Sequence, residues 1–168
     1  MSEKVEDIYE LHAKIIYRYL FSLTGEADIS EELTQETFCA ALKSIDTYRG
    51  EASPQVWLCA IAKRLWFKEL ERRRRMADID GEAIANITEH SNFENDYERR
   101  ENRLKLYRAM QKLDSDTREV IHLRIAGEFS FKDIGEILGK SEVWARVRFY
   151  RGKEKLAQII GGDENEGK

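Results

Sequence analysis

A chain of 168 residues that contains a single proline, Pro54, and only ten glycines offers very few points at which a helix must end. Proline removes a backbone hydrogen-bond donor and glycine adds conformational entropy, so both residues interrupt helices. Apolar side chains also recur three and four positions apart in most segments, beginning with Val5, Ile8, Ile15 and Ile16. This spacing is that of an amphipathic helix, and no segment alternates convincingly like a strand. The sequence therefore predicts an all-α protein.

Turn and cap signals divide the N-terminal half into three helices. Gly25 is expected to end the first helix, and Asp28 or Ser30 is expected to cap the second. Ser53, followed by proline at the first helical position, predicts the start of a third helix that runs to about residue 75.

The C-terminal half carries three further cap signals. Asp116 with Glu119 is expected to cap one helix, and Ser130 with Asp133 resembles a capping box for a short second one. Ser141 is expected to cap the last helix.

The stretch between these halves has a different composition. Residues 76–99 lose helical periodicity, are acidic, and are rich in Asn, Ser and Thr, which is typical of a mobile linker. The sequence thus predicts two small helical domains, 1–75 and 100–160, joined by a flexible acidic linker at 76–99. The last residues, 161–168, are expected to form a disordered tail.

Several features bear on the cellular compartment. The first residues are acidic and lack the basic flank and apolar block of a secretory signal. The most apolar stretch, IIYRYLFSL, is interrupted by Arg18 and is too short to cross a bilayer. Cys39 and Cys59 lie in apolar helical contexts, which favours reduced thiols over a disulfide or a metal site. We therefore expect a cytoplasmic protein without direct membrane insertion.

The sequence offers little support for an enzyme. Its three histidines, His12, His90 and His122, lie in separate predicted elements, with no paired nucleophile and no metal-ligand spacing. A glycine-rich phosphate-binding loop is also missing from the sequence. We predict no catalytic activity, no metal and no cofactor.

Charge is distributed unevenly along a chain whose net charge is −4. Residues 57–75 carry seven Lys and Arg against two Glu. Four of these cations fall in a narrow sector of the helix: Arg64, Lys68, Arg72 and Arg75. Such a stripe suits a nucleic-acid backbone, and the nearby Trp57, Trp66 and Phe67 offer flat surfaces for unstacked bases. The other interpretation is a solvated helix end, whose arginines favour the helix dipole.

The segment FKDIGEILGKSEVWARVRFYR has the form of a helix-turn-helix. Gly135 stands where two helices cross, and Gly139 stands at the tight turn. In the second helix an inward stripe is expected, formed by Ala145, Phe149, Gly152 and Leu156. Residues 140–155 carry six basic and two acidic side chains, which suits a helix that enters the major groove. The alternative is a helical hairpin with a basic surface.

An acidic helix face lies in SEELTQETFCAAL, residues 30–42. Glu32, Gln35 and Glu36 are spaced to share its solvent-exposed side. This is either an ordinary polar face or a docking surface for a basic protein partner.

Two blocks of sequence together resemble a known family. SEELTQETFCAALKSIDTYRGEASPQVWLCAIAKRLWFKELERRRR, a linker, and LDSDTREVIHLRIAGEFSFKDIGEILGKSEVWARVRFYRGKEKL are similar to bacterial RNA polymerase sigma factors of the extracytoplasmic-function class. The resemblance covers residues 5–75, the family's region two, and about 104–158, its region four. It implies a non-enzymatic protein that binds core RNA polymerase, recognises promoter DNA and promotes strand opening.

The resemblance also implies roles for individual residues. Glu32, Gln35 and Glu36 match the helix that docks on the clamp helices of the largest polymerase subunit. A −10 element surface is matched by Tyr48, Arg49, Gly50, Glu51, Ala52, Ser53, Arg64 and Lys68. The helix that reads the −35 element is matched by Arg146, Val147, Arg148, Tyr150 and Arg151. An anti-sigma factor is a typical further partner of the class.

The sequence departs from the family pattern at the start of this last helix. Glu142, Val143, Trp144 and Ala145 replace the usual small-residue turn, and Lys140 replaces an apolar residue. Two other functions remain as alternatives, a free-standing helix-turn-helix regulator and a helical adaptor without a nucleic-acid role. Binding to core polymerase separates the sigma factor from both.

Overall fold

A computed structural model describes residues 2–80, 97–125 and 127–166. These residues form seven α-helices and one short 3₁₀ turn, Ile45–Thr47, without any strand in the described ranges. The helices are α1 (Ser2–Thr24), α2 (Ala27–Ser44), α3 (Pro54–Asp80), α4 (Tyr97–Gln111), α5 (Ser115–Ile125), α6 (Phe131–Leu138) and α7 (Glu142–Glu166). The all-α prediction is confirmed.

The helices form two compact units, one built from α1, α2 and α3. In this unit each helix packs against the other two, because each places one apolar stripe inward. The core contains Ile16, Leu20, Leu33, Phe38, Leu58, Ile61 and Ala62, all buried. Cys59 is buried in the same core and Cys39 is exposed, and neither forms a disulfide.

Local signals at the ends of these helices are largely confirmed. Gly25 follows α1 with φ +68°, a left-handed conformation that glycine adopts without strain. Ser53 accepts a hydrogen bond from the Val56 amide at 3.3 Å, as expected of an N-cap. The expected cap of α2 is wrong, since α2 already begins after Glu26. Ser30 is instead fully buried in the helix, where its hydroxyl donates to the Glu26 carbonyl at 2.6 Å.

The third helix is longer than the sequence predicts. It continues past residue 75 to Asp80 because residues 76–80 contain neither proline nor glycine. Once a helix has formed, each residue added to it makes one more backbone hydrogen bond, so extension is favourable. The predicted linker therefore loses residues 76–80 to α3 and residues 97–99 to α4. The remaining residues of that linker, 81–96, lie outside the described part of the chain.

The second unit contains α4, α5, α7 and the first part of α6. Asp114, rather than the expected Asp116, caps α5, because its carboxylate accepts from the Thr117 amide at 3.0 Å and from the Thr117 hydroxyl at 2.7 Å. The capping box of α6 is confirmed, with reciprocal bonds between Ser130 and Asp133 at 3.1 and 3.2 Å. Ser141 caps α7 through the Trp144 amide at 3.0 Å.

The helix-turn-helix depends on glycine at two positions. Gly139 adopts φ +66°, and the next amide, that of Lys140, donates to the Gly135 carbonyl at 2.8 Å. A Cβ atom on Gly135 would lie only 2.8 Å from the Lys140 carbonyl oxygen, so the turn closes directly over this residue. The inward stripe of α7 is confirmed, since Ala145, Phe149, Gly152 and Leu156 are all buried.

The end of α7 differs from the expected disordered tail. The helix continues through Gly161 and Gly162 to Glu166. Glycine costs about 1 kcal/mol per residue in a helix, but extension of an existing helix does not incur the cost of nucleation. None of the helices in the described ranges combines the length and apolar character of a membrane span.

Candidate functional site

The acidic surface of α2 lies opposite the face that packs into the first unit. Glu32, Gln35 and Glu36 are all exposed. The neighbouring Leu33 and Thr37 are buried, and the Thr37 hydroxyl donates back to the Leu33 carbonyl at 2.7 Å. The exposed trio thus forms no part of the core, and its side chains are accessible to a partner.

The loop between α2 and α3 is anchored by one tyrosine. The Tyr48 hydroxyl donates to the Ala52 carbonyl, and its ring stacks on Trp57 with centroids 4.7 Å apart and planes at 29°. These two contacts fold the loop back onto the start of α3. Arg49, Gly50 and Glu51 are exposed between them, and Gly50 takes φ +72°. The two ends of the loop are therefore held in place, while its middle residues remain exposed to solvent.

The predicted cationic stripe of α3 is only partly free. Arg64 and Lys68 are exposed and take part in none of the ion pairs found among the described residues. Arg72 donates to both carboxylate oxygens of Glu69 at 2.8 and 2.9 Å. Arg75 lies 3.8 Å from Glu71, a looser pair. The stripe thus has free cations near the loop and paired ones farther along the helix.

Glu69 is the centre of an ion-pair cluster that sequence reasoning missed. Besides the bonds from Arg72, it accepts from Arg73 at 3.0 Å, and Arg73 also donates to Glu26 at 2.8 Å. Hydrogen bonds from Arg72 and then Arg73 lower the pKa of Glu69 to about 2, although its partial burial opposes this shift. The bond to Glu26 joins residues 47 positions apart, so it ties the end of α3 to the turn before α2.

The exposed side of α7 carries the second predicted DNA surface. Arg146, Val147, Tyr150 and Arg151 are all exposed. Arg146 donates to Glu142 at 2.8 Å, and its guanidinium lies 5.5 Å from the Phe131 ring centroid. Both contacts hold this arginine near the start of the helix, which is the part of a recognition helix that reaches base edges.

Arg148 differs from the other residues of this predicted set. It is half-buried, lies 3.2 Å from the Asp114 carboxylate, and covers the Trp144 ring at 5.1 Å. Together with the Thr117 hydroxyl at 3.5 Å, these contacts link α7 to the cap of α5. The Asp-x-x-Thr spacing at residues 114–117 signals the cap of α5, but no local spacing signals its contact with Arg148, 34 residues later. The geometry of Arg148 fits a packing role better than a free base contact.

The two described histidines, His12 and His122, are half-buried in their helices. Burial lowers the pKa of His12, and burial with the nearby charge of Arg118 lowers that of His122. His90 lies outside the described residues. Within the described ranges no cluster of three or more potential metal ligands occurs.

Comparison with known sequences identifies both units. The family model described as Sigma-70 region 2 matches residues 8–76, and the model described as Sigma-70, region 4 matches residues 103–156. The first match covers most of α1 and α3 and all of α2, and the second covers most of α4, all of α5 and α6, and α7 as far as Leu156.

Individual relatives agree with these matches. An ECF RNA polymerase sigma factor, EcfG of Rhodopseudomonas palustris, is 30% identical over 88% of this chain and 80% of its own length. The RNA polymerase sigma factor CarQ of Myxococcus xanthus is 30% identical over 96% of this chain and 91% of its own length.

A solved structure has the same fold. It is the sigma factor RpoE in complex with the anti-sigma factor NepR from Bartonella quintana, with a TM-score of 0.78 and 22% identity over 95% of this chain and 98% of that one. The resemblance inferred from the sequence is confirmed. The chain belongs to the extracytoplasmic-function class of RNA polymerase sigma factors, and it binds core RNA polymerase and recognises promoter DNA.

Proposed function

We propose that the two units of this sigma factor bind two different forms of DNA. In the first unit, Arg64, Lys68 and the loop at residues 48–53 hold the −10 element as its strands separate. In the second unit, Arg146 and Arg151 read the −35 element as closed duplex, with Val147 and Tyr150 on the same exposed side of α7. Arg148 supports this surface through its contacts with Asp114 and Trp144.

One observation carries this division: the two sets of exposed cations have different surroundings. Arg64 and Lys68 lie on the same helix as Trp57, whose ring stacks on Tyr48 of the preceding loop. Aromatic rings beside cations favour unpaired bases. Arg146 lies instead near the start of the second helix of a helix-turn-helix, which fits the major groove.

The acidic face of α2 is proposed to dock on core polymerase. Glu32, Gln35 and Glu36 are exposed without a role in the core of their own unit. We assign them to the clamp helices of the largest polymerase subunit. A free-standing regulator would need no such surface, and the match of the first unit to region 2 makes that alternative unfavourable.

Three further assignments belong to this proposal. The chain acts without a reaction of its own, since binding and positioning suffice for the proposed roles. It acts in the cytoplasm, where the polymerase is. An anti-sigma factor restrains it, since a structure of the same fold is described as the sigma factor RpoE in complex with the anti-sigma factor NepR.

The test compares two double variants in reconstituted holoenzyme on one promoter, prepared as duplex and as a template already melted at the −10 element. We expect Arg64→Ala with Lys68→Ala to leave initial capture of the duplex nearly unchanged and to slow strand opening. Arg146→Ala with Arg151→Ala should weaken closed-complex formation on both templates.

A matched control is available on α1. Lys14 and Arg18 are exposed and four residues apart, the same spacing as Arg64 and Lys68. Replacing both by alanine removes equal charge from the same unit and should change neither step. If the melted template restored the Arg146 and Arg151 variant, and not the other one, the proposed division would be reversed.

A further inference from the structure

The start of α7 carries two exposed apolar side chains. Val143 is 69% exposed and Val147, one turn later, is 42% exposed. At about 100° per residue, both lie on the side of the helix nearly opposite its buried stripe, so neither contributes to the core of the unit. Val143 belongs to the segment in which this sequence departs from the small-residue turn of the family pattern. Its exposed side chain is thus a feature of this chain to which the family resemblance gives no role.

The two side chains next to Val143 are engaged within the unit. Trp144 is half-buried, and the Arg148 guanidinium lies 5.1 Å from its ring centroid. Glu142 accepts a hydrogen bond from Arg146 at 2.8 Å, so its charge is paired. Of the first three side chains of α7, that of Val143 is therefore the one most open to a ligand.

Cations border the two valines on both sides. Around the helix, Arg146 lies on one side of the pair and Arg151 lies on the other, and both arginines are exposed. Val143, Val147 and Arg151 also line one open groove along α7. The next acid on this helix, Glu154, is seven residues beyond Val147. The surface is thus a short apolar strip between two positive charges.

We propose that Val143, together with Val147, reads thymine in the −35 element through the 5-methyl group of the base. In the major groove each A·T pair presents one such methyl group and a G·C pair presents none, and apolar side chains contact it. The first residues of a recognition helix are those that reach base edges, and cations beside them bind guanine or phosphate. The inference rests on the proposed −35 role of α7, and it adds a determinant of sequence that carries no charge.

A protein partner fits this strip less well. Val143, Val147 and the exposed Tyr150 offer only a small part of the roughly 800 Å² that each partner of a stable protein interface buries. A thymine methyl group, in contrast, needs a patch of only one or two side chains. The size of the strip and the cations around it therefore favour a base in duplex DNA.

The test measures closed-complex formation by holoenzyme on a duplex promoter in which each thymine of the −35 element, on either strand, is replaced in turn by uracil. This exchange removes the 5-methyl group and leaves base pairing unchanged. At one or two positions the wild type should bind about 4-fold more weakly, from about 0.8 kcal/mol for burial of one such group at 1.4 kcal/mol per tenfold change. Val143→Ala should bind the thymine promoter correspondingly weakly, because its side chain is shorter by two methyl groups. At the position that Val143 contacts, this variant should no longer distinguish thymine from uracil.

Ile125→Ala is the matched control, since Ile125 is 65% exposed at the end of α5 in the same unit. This variant should keep the full uracil effect. Equal binding of the wild type to all the thymine and uracil promoters would overturn the proposal, as would an undiminished uracil effect in Val143→Ala. If the uracil effect is absent while Arg146→Ala with Arg151→Ala still weakens closed-complex formation, the −35 role of α7 stands and only the methyl contact fails. If the arginine variant binds normally and the uracil effect persists, only the role of the two arginines is lost.

Discussion

The crossing of α5 and α7 provides a sharp test of how the second unit is held together. A Cβ atom added to Gly152 would lie 2.5 Å from Thr117 Cγ2 and 2.9 Å from Ile121 Cδ1. Thr117 cannot rotate away without losing the 2.7 Å bond from its hydroxyl to Asp114, which caps α5. Gly152→Ala must therefore push the two helices apart or break the cap.

The expected magnitude follows from two opposing terms. Overpacking of a buried contact costs about 1–3 kcal/mol, and alanine gains about 1 kcal/mol of helix propensity over glycine. Because Thr117 and Ile121 are both buried, the upper half of the overpacking range applies, and the net loss should be about 1–2 kcal/mol. Gly161→Ala on the same helix meets nothing within 4 Å, so only the propensity gain of up to about 1 kcal/mol remains.

Hydrogen exchange measured on peptides from α5 and α7 checks both substitutions in the full chain. We expect exchange about 5- to 30-fold faster for Gly152→Ala, from 1.4 kcal/mol per tenfold change, and slower or unchanged exchange for Gly161→Ala. Peptides from α1 to α3 should not change in either variant. If Gly152→Ala slowed exchange as much as Gly161→Ala, the close contact between α5 and α7 would be refuted.

Two further predictions concern the first unit. Glu32→Lys with Gln35→Ala should weaken binding to core polymerase by a few kcal/mol, because an attractive charge contact becomes repulsive, and unchanged affinity in a titration with labelled protein would exclude this docking face. Glu69, whose pKa falls to about 2, should stabilise the unit above about pH 4.5 and lose that contribution as the pH falls towards 2. The full shift would be worth about 3 kcal/mol, but Arg72 is exposed, so we expect about 1 kcal/mol. The difference in urea midpoint between wild type and Glu69→Gln should therefore shrink between about pH 6 and about pH 3, and a constant difference would contradict the ion-pair cluster.

Local sequence rules were sufficient wherever a helix end depends on residues within one turn. The capping box of Ser130 and Asp133 and the cap at Ser141 follow from spacing alone, and both are confirmed. The same rules chose Asp116 where the structure uses Asp114, because two acids near one helix start satisfy the same pattern. Which of them acts depends on where the helix begins, and α5 begins at Ser115, directly after Asp114.

Side-chain partners distant in sequence were not predictable. The pair of Arg72 with Glu69 is different, because these residues are three positions apart and local spacing does link them. The partner of Arg73 is Glu26, 47 residues earlier, and no spacing rule links positions so far apart. The functional roles assigned to the DNA and polymerase surfaces remain predictions.

The ion-pair cluster on α3 also bears on how an acidic protein binds DNA selectively. Non-specific affinity rises with the number of phosphates neutralised, because each contact releases counterions. Residues 57–75 carry seven cations, but Arg72 and Arg73 are held by acids of their own unit. Each held arginine removes one potential phosphate contact, so the first unit alone gains less affinity for arbitrary duplex than its seven cations suggest. On the proposed assignment, tight binding then requires both units on one promoter, as core polymerase arranges them.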